Sequence, residues 1–163
     1  MNWLEKCRLL KTGLKQIEPN ENISKNYLLQ AEKTLERVKK LIDDDDFLWA
    51  SVTTYYCAYY ALYAFLQKVG AKSENHSCSI ELFEYLTNRT LLVKNIKHFK
   101  ETRIDSQYYL NIPDKAVVLQ NYDLLKNFYV ELYNLCNSDD VELMKIKHKL
   151  NTFFTDDSKF TTA

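Results

Sequence analysis

The chain has 163 residues, enough for one domain that buries roughly 70% of its unfolded surface and too few for two. It carries only 2 glycines and 2 prolines, against a usual combined share of about 12%. That excludes a hairpin-rich sandwich or barrel, and also the dinucleotide fingerprint, the P-loop and the nucleophile elbow, each of which needs closely spaced glycines. Its 22 basic and 22 acidic residues cancel, so no broad field attracts a phosphate backbone or an anionic membrane, and any nucleic-acid contact must be local.

Trp3, Cys7, Leu10, Leu14 and Ile17 recur at steps of four and three, which predicts a first amphipathic helix ending before Pro19. Leu28, Ala31, Leu35, Val38 and Ile42 repeat the pattern in a second helix, with Glu32, Lys33, Glu36, Lys39 and Lys40 turned outward. Asp43 to Asp46 form an acidic turn whose last members stand where carboxylates cap the next helix. Four adjacent aspartates without a glycine-bearing loop do not build a calcium site.

The third helix is predicted over about Phe47 to Val69. Trp49, Val52, Tyr56, Tyr59, Tyr63 and Leu66 make a bulky seam, and Ala50, Thr54, Cys57, Ala61 and Ala64 a seam of small residues. A helix of this kind packs centrally, with one neighbour approaching closely. Ser51, Thr53, Thr54, Gln67 and Lys68 interrupt the stretch, so it reads as a core helix and not as a membrane span. Gly70 supplies a left-handed C-terminal cap.

After a polar loop over 71–75, Asn75 or Ser77 caps a short helix with Ile80, Phe83 and Leu86 inward, broken at Thr87-Asn88. Leu92, Ile96 and Phe99 resume the helical step, which lands on Arg103 before Pro113 stops the helix. Val118, Tyr122, Leu125, Tyr129, Leu132 and Cys136 define a further helix, and Leu143, Ile146, Leu150 and Phe153 a shorter last one. The polar tail from Thr155 is expected to fray. Every long segment has helical periodicity, so helix content above two-thirds and no sheet are expected. Cys7, Cys57, Cys78 and Cys136 form no C-x-x-C pair, and no apolar leader follows Met1, which reads as reduced thiols in a cytoplasmic protein.

Chemistry-bearing patterns are few. The residues four after His76, His98 and His148 are Ile80, Thr102 and Thr152, so no histidine has a second metal ligand at helical spacing; neither metal nor cofactor is expected. Arg103 stands on an apolar line, where an unpaired buried charge costs several kcal/mol. It therefore snorkels outward, pairs with a carboxylate on another helix, or holds an anion. Asp105 projects elsewhere on the helix, while Gln107 at the i+4 step shares its face. Lys94, Lys97, His98 and Lys100 accompany Arg103 on a basic stretch interrupted by Glu101 and Asp105, as on a solvated helix face. Tyr55, Tyr56, Tyr59, Tyr60, Tyr63, Tyr108 and Tyr109 either pack the core or stack nucleic-acid bases.

The order of these signals resembles the HEPN domain family. The resemblance rests on a long helix with Tyr55-Tyr56, Ala58, Tyr59, Ala61 and Ala64 closed by Gly70, His76 at the mouth of a short helix ending in Phe83, and the segment Arg103-Ile104-Asp105-Ser106-Gln107-Tyr108, with Gln107 where the family commonly has aspartate. It covers about 22–136 of a single domain spanning 1–163. It implies an all-α, up-and-down bundle of about five core helices with extra terminal helices, usually a homodimer, of the kind found beside minimal nucleotidyltransferases in toxin–antitoxin pairs and in RNA-directed defence. Many members are metal-independent ribonucleases with an R-x(4–6)-H motif. Here the positions counted from Arg103 hold Tyr108, Tyr109 and Leu110, and those counted from Arg89 hold Lys94, Asn95 and Ile96.

Three functional expectations follow. The first is a dimeric binding module that engages a nucleotide, RNA or a nucleotidyltransferase partner, with Arg103, Asp105, Gln107, Tyr109, Tyr56 and Tyr60 as ligand-binding residues. The second is a ribonuclease using Arg103 with His76 or Tyr108. The third is a scaffold in which the same residues are structural.

Overall fold

The computed structural model describes residues 2–138 and 140–156. Thr155, where the tail is expected to begin fraying, is still helical, and the rest of that tail lies, apart from residue 156, outside the described residues. Helix α1 (Trp3–Leu9) opens with a capping box in which Asn2 Oδ1 accepts from Glu5 N at 2.9 Å and the Glu5 carboxylate accepts from Asn2 N at 2.8 Å. The predicted first helix is too long. The chain turns at Gly13, where Leu14 N donates to Cys7 O at 2.8 Å and a Cβ would stand 1.9 Å from that oxygen. Leu14 is buried by this turn and not by a helical face.

The expectation of no sheet is also corrected. Strands β1 (Lys15–Gln16) and β2 (Ala71–Lys72) form a two-residue antiparallel ladder, with Lys15 opposite Lys72. Their partners lie far apart in sequence, so no local periodicity announces them.

Helix α2 (Glu21–Asp43), capped by Asn20, and helix α3 (Phe47–Val69), capped by Asp46, make a hairpin through the acidic turn. Helix α4 (His76–Thr87) is capped by Asn75 and ends at Asn88, helix α5 (Thr90–Tyr109) ends at Leu110, helix α6 (Lys115–Cys136) is capped by Asp114, and α7 (Asp140–Thr155) closes the series. Asn88 and Leu110 both adopt the left-handed conformation that terminates a helix. The fold is all-α apart from the short ladder, and α3 is its centre, packed against α2, α4, α5, α6 and α7.

The reason lies in α3's small seam. Ala50, Cys57, Ala58, Ala61 and Ala64 are fully buried, and α2 comes near enough for the Cys57 thiol to donate to Ala31 O at 3.2 Å. On its other sides Tyr55, Leu62, Phe65 and Leu66 are buried, each apolar side chain contributing about 1.5–3 kcal/mol. Trp49, read as part of the bulky seam, is 52% exposed because it stands in the first turn of α3. Arg8 of α1 donates to Phe154 O and Asp156 O, satisfying carbonyls at the end of α7.

The expectation of four reduced thiols is overturned for two of them. Cys7 and Cys78 form a disulfide joining α1 to α4, which removes the thiol argument for a cytoplasmic location. Cys57 and Cys136 are free and buried, and burial pushes both thiols up to about 12. None of the described helices is long and apolar enough to cross a membrane.

Candidate anion-binding site

Arg103 lies on α5 where that helix faces the tyrosines of α3. Its Nη2 donates to Tyr56 Oη at 3.1 Å and to Tyr108 Oη at 3.4 Å. Its guanidinium carbon stands 5.9, 5.5 and 5.3 Å from the ring centres of Tyr55, Tyr56 and Tyr108, within cation–π range. Among the described residues no carboxylate pairs with it. The guanidinium thus neither snorkels free nor forms a salt bridge; phenol oxygens and ring faces hold it. Its Nε and the Oε1 of Gln107, one helical turn on, are buried and lack a hydrogen-bond partner.

His76, the first residue of α4, stacks on Tyr59 with centroids 3.7 Å apart, and its Nδ1 is 2.7 Å from Tyr55 Oη. Burial, then the charges of Lys100 and Arg103, lower its pKa to about 4. Burial raises the Tyr55 phenol well above its ordinary range and Tyr59 to about 12. Lys100 donates to Ser77 Oγ at 2.6 Å, and its ammonium is shifted downward by burial and by the neighbouring Arg103 and Lys97. Lys100 and Arg103 therefore form a cationic pair beside a neutral His76, with no acidic partner among the described residues, and each charge disfavours the other and protonation of His76.

Of the residues singled out in the sequence, Arg103, Tyr108 and Tyr56 meet directly. Tyr56, Tyr60 and His76 line one cavity of about 200 Å³ together with Tyr27, Tyr59 and Tyr63. Tyr56 is the link between that cavity and Arg103. Asp105 lines a different cleft with Thr102, Leu110 and Pro113, and Tyr109 is 71% exposed. The basic stretch of α5 does not form one face: Lys97 pairs with Glu81 and Glu84, His98 contacts Asn121, and only Lys100 joins Arg103. Sequence reasoning did not separate Lys100 from that stretch, because its partner Ser77 belongs to another helix.

The HEPN domain model matches residues 24–131, from within α2 to near the end of α6. The match spans well over half of the chain, and the protein belongs to the HEPN domain family. Helix α1, the ladder strand β1 and α7 lie outside it. No curated protein matches the chain.

Proposed function

We propose that this HEPN protein is a binding module whose Arg103 cluster takes a phosphate of a nucleotide or of RNA. The observation that carries the reading is a guanidinium without a carboxylate, set beside a second cation and holding a buried Nε–H with no acceptor. Such a group is completed by an anion, and the planar fork of arginine suits a phosphate. Tyrosine faces beside it suit a base. Binding is favoured over cleavage because a histidine with a pKa of about 4 is a weak proton acceptor at neutral pH, and His98 on the same helix as Arg103 is engaged by Asn121.

Titration of the protein with a nucleoside monophosphate at low salt tests the reading. Arg103→Ala should weaken binding about tenfold or more, the loss expected for a charge-assisted hydrogen bond. Unchanged affinity would sink the proposal. Single-stranded RNA incubated without metal should remain intact; cutting that Arg103→Ala and His76→Ala both abolish would favour the ribonuclease.

A homodimer belongs to the same reading, since HEPN domains commonly dimerise. Tyr108, Tyr109, Leu110 and Ile112 present exposed apolar surface next to the site. Light scattering at tens of micromolar tests it, a monomer counting against both the dimer and a minimal nucleotidyltransferase docked on a paired site.

A further inference from the structure

A second basic patch lies at the other end of the tyrosine-lined cavity. Lys11, Lys15 and Lys72 surround a cleft of about 170 Å³ whose wall includes Tyr63, Ser73 and Glu74, and the same three residues line the tyrosine cavity. The two cavities are neighbours. Tyr56 and Tyr63 are seven positions apart on α3, about 10 Å along the helix axis. Tyr59 and Tyr63 are 6.0 Å apart ring to ring, and Tyr27 contacts both Tyr60 and Tyr63 at 6.0 and 4.9 Å. Tyr27, Tyr56, Tyr60 and Tyr63 are half-buried and keep part of each ring accessible.

The lysines are held where they are by backbone bonds. Lys15 and Lys72 are directly opposite each other in the β-ladder, and like charges at such positions are destabilising. Lys11 is placed by its neighbour Thr12, whose carbonyl accepts from Glu74 N and Asn75 N, both at 3.0 Å, and from Ser73 Oγ. Among the described residues no acidic side chain pairs with Lys11, Lys15 or Lys72. Glu74, exposed at the shared wall, offsets part of the charge. An enforced like-charge pair beside a third cation is relieved by an anion.

From this we infer that Lys11, Lys15 and Lys72 form a second phosphate subsite, and that the ligand is a single strand of nucleic acid whose backbone runs from Arg103 to these lysines with its bases on the tyrosines between. The inference rests on the Arg103 reading for one end of the strand only. Lys11 and Lys15 stand outside the stretch matched by the family model and Lys72 within it, so two of the three lysines at this end of the track come from the chain's own N-terminal segment. A mononucleotide spans one subsite; an oligonucleotide spans both. Single strands fit because their bases are free to stack, whereas a duplex keeps its faces internal.

The experiment uses the full chain, a labelled oligouridylate, a duplex of the same length and uridine monophosphate, with affinity measured against salt. Lys15→Gln with Lys72→Gln, both at exposed positions, should weaken the oligonucleotide about tenfold and flatten its salt slope by about 1.4, at ~0.7 for each phosphate no longer neutralised. The same change should leave uridine monophosphate at wild-type affinity, and Tyr60→Leu should weaken the oligonucleotide about fivefold. Wild-type oligonucleotide affinity in the double lysine variant overturns the second subsite while leaving the Arg103 reading intact. Oligonucleotide binding that is weakened in that variant but unchanged in Arg103→Ala overturns the Arg103 reading instead. Duplex bound as tightly as single strand overturns the stacking groove.

Discussion

The phenol of Tyr55 and the imidazole of His76 share a hydrogen bond of 2.7 Å between α3 and α4. His76 is sandwiched further against Tyr59 and faces the charges of Lys100 and Arg103. The folded protein keeps this imidazole neutral until about pH 4, whereas the unfolded chain takes up the proton near its ordinary value of 6.5. Between those values the unfolded state binds more protons, so this group makes stability fall as pH drops from about 6.5 to 4. His76→Gln should flatten that part of the stability profile. Equal slopes for the two proteins, followed by denaturant midpoint against pH, would remove His76 as the cause.

Arg103 is expected to contribute little net stability, because its buried Nε without an acceptor and the neighbouring Lys100 charge offset its phenol and ring contacts, and no carboxylate among the described residues pairs with it. Arg103→Met should leave the melting temperature unchanged or raise it. A fall of more than about 4 °C, equivalent for a chain of this size to roughly 1 kcal/mol or more, would mark it as structural.

Gly70 has φ +97°, and a Cβ there would meet Ile17 O at 2.7 Å and Pro19 at 3.2 Å. The same turn lets Ile17 N donate to Gly70 O at 2.9 Å. Gly70→Ala adds the left-handed penalty of about 1–2 kcal/mol to that clash, so a loss of at least about 2 kcal/mol is expected by denaturant unfolding. A neutral result would mean that the segment before α2 moves away freely.

The Cys7–Cys78 disulfide closes a loop with a sequence separation of 71 residues. By loop entropy, opening it costs about 4 kcal/mol. Thiol titration in denaturant without reductant should find Cys57 and Cys136 alone, and the urea midpoint should fall when reductant is added. Reaction of all four cysteines would show that the bond does not form.

Helix-forming periodicity is a local property, and what depends on it can be read along the chain: α2, α3, α5 and α6 with most of their inward residues, Trp49 excepted, the acidic cap before α3, the stop at Gly70, and Arg103 on an apolar line, while the choice of Asn75 over Ser77 as the cap of α4 came from the fold. The family was legible too, since its signals lie in order along those helices. Pairings between distant segments were not. The turn at Gly13 ends α1 early because Leu14 is buried by a fold-back onto Cys7, while its spacing alone continues a helical stripe. The disulfide, the Lys15–Lys72 register and the Lys100–Ser77 contact join residues from separate elements. Arg103's position could be read, but its tyrosine partners could not, because which ring reaches a guanidinium depends on how α3 and α5 cross. That crossing is set by packing, since seating the small seam of α3 against α2 turns its tyrosines toward α5 and the N-terminal ladder.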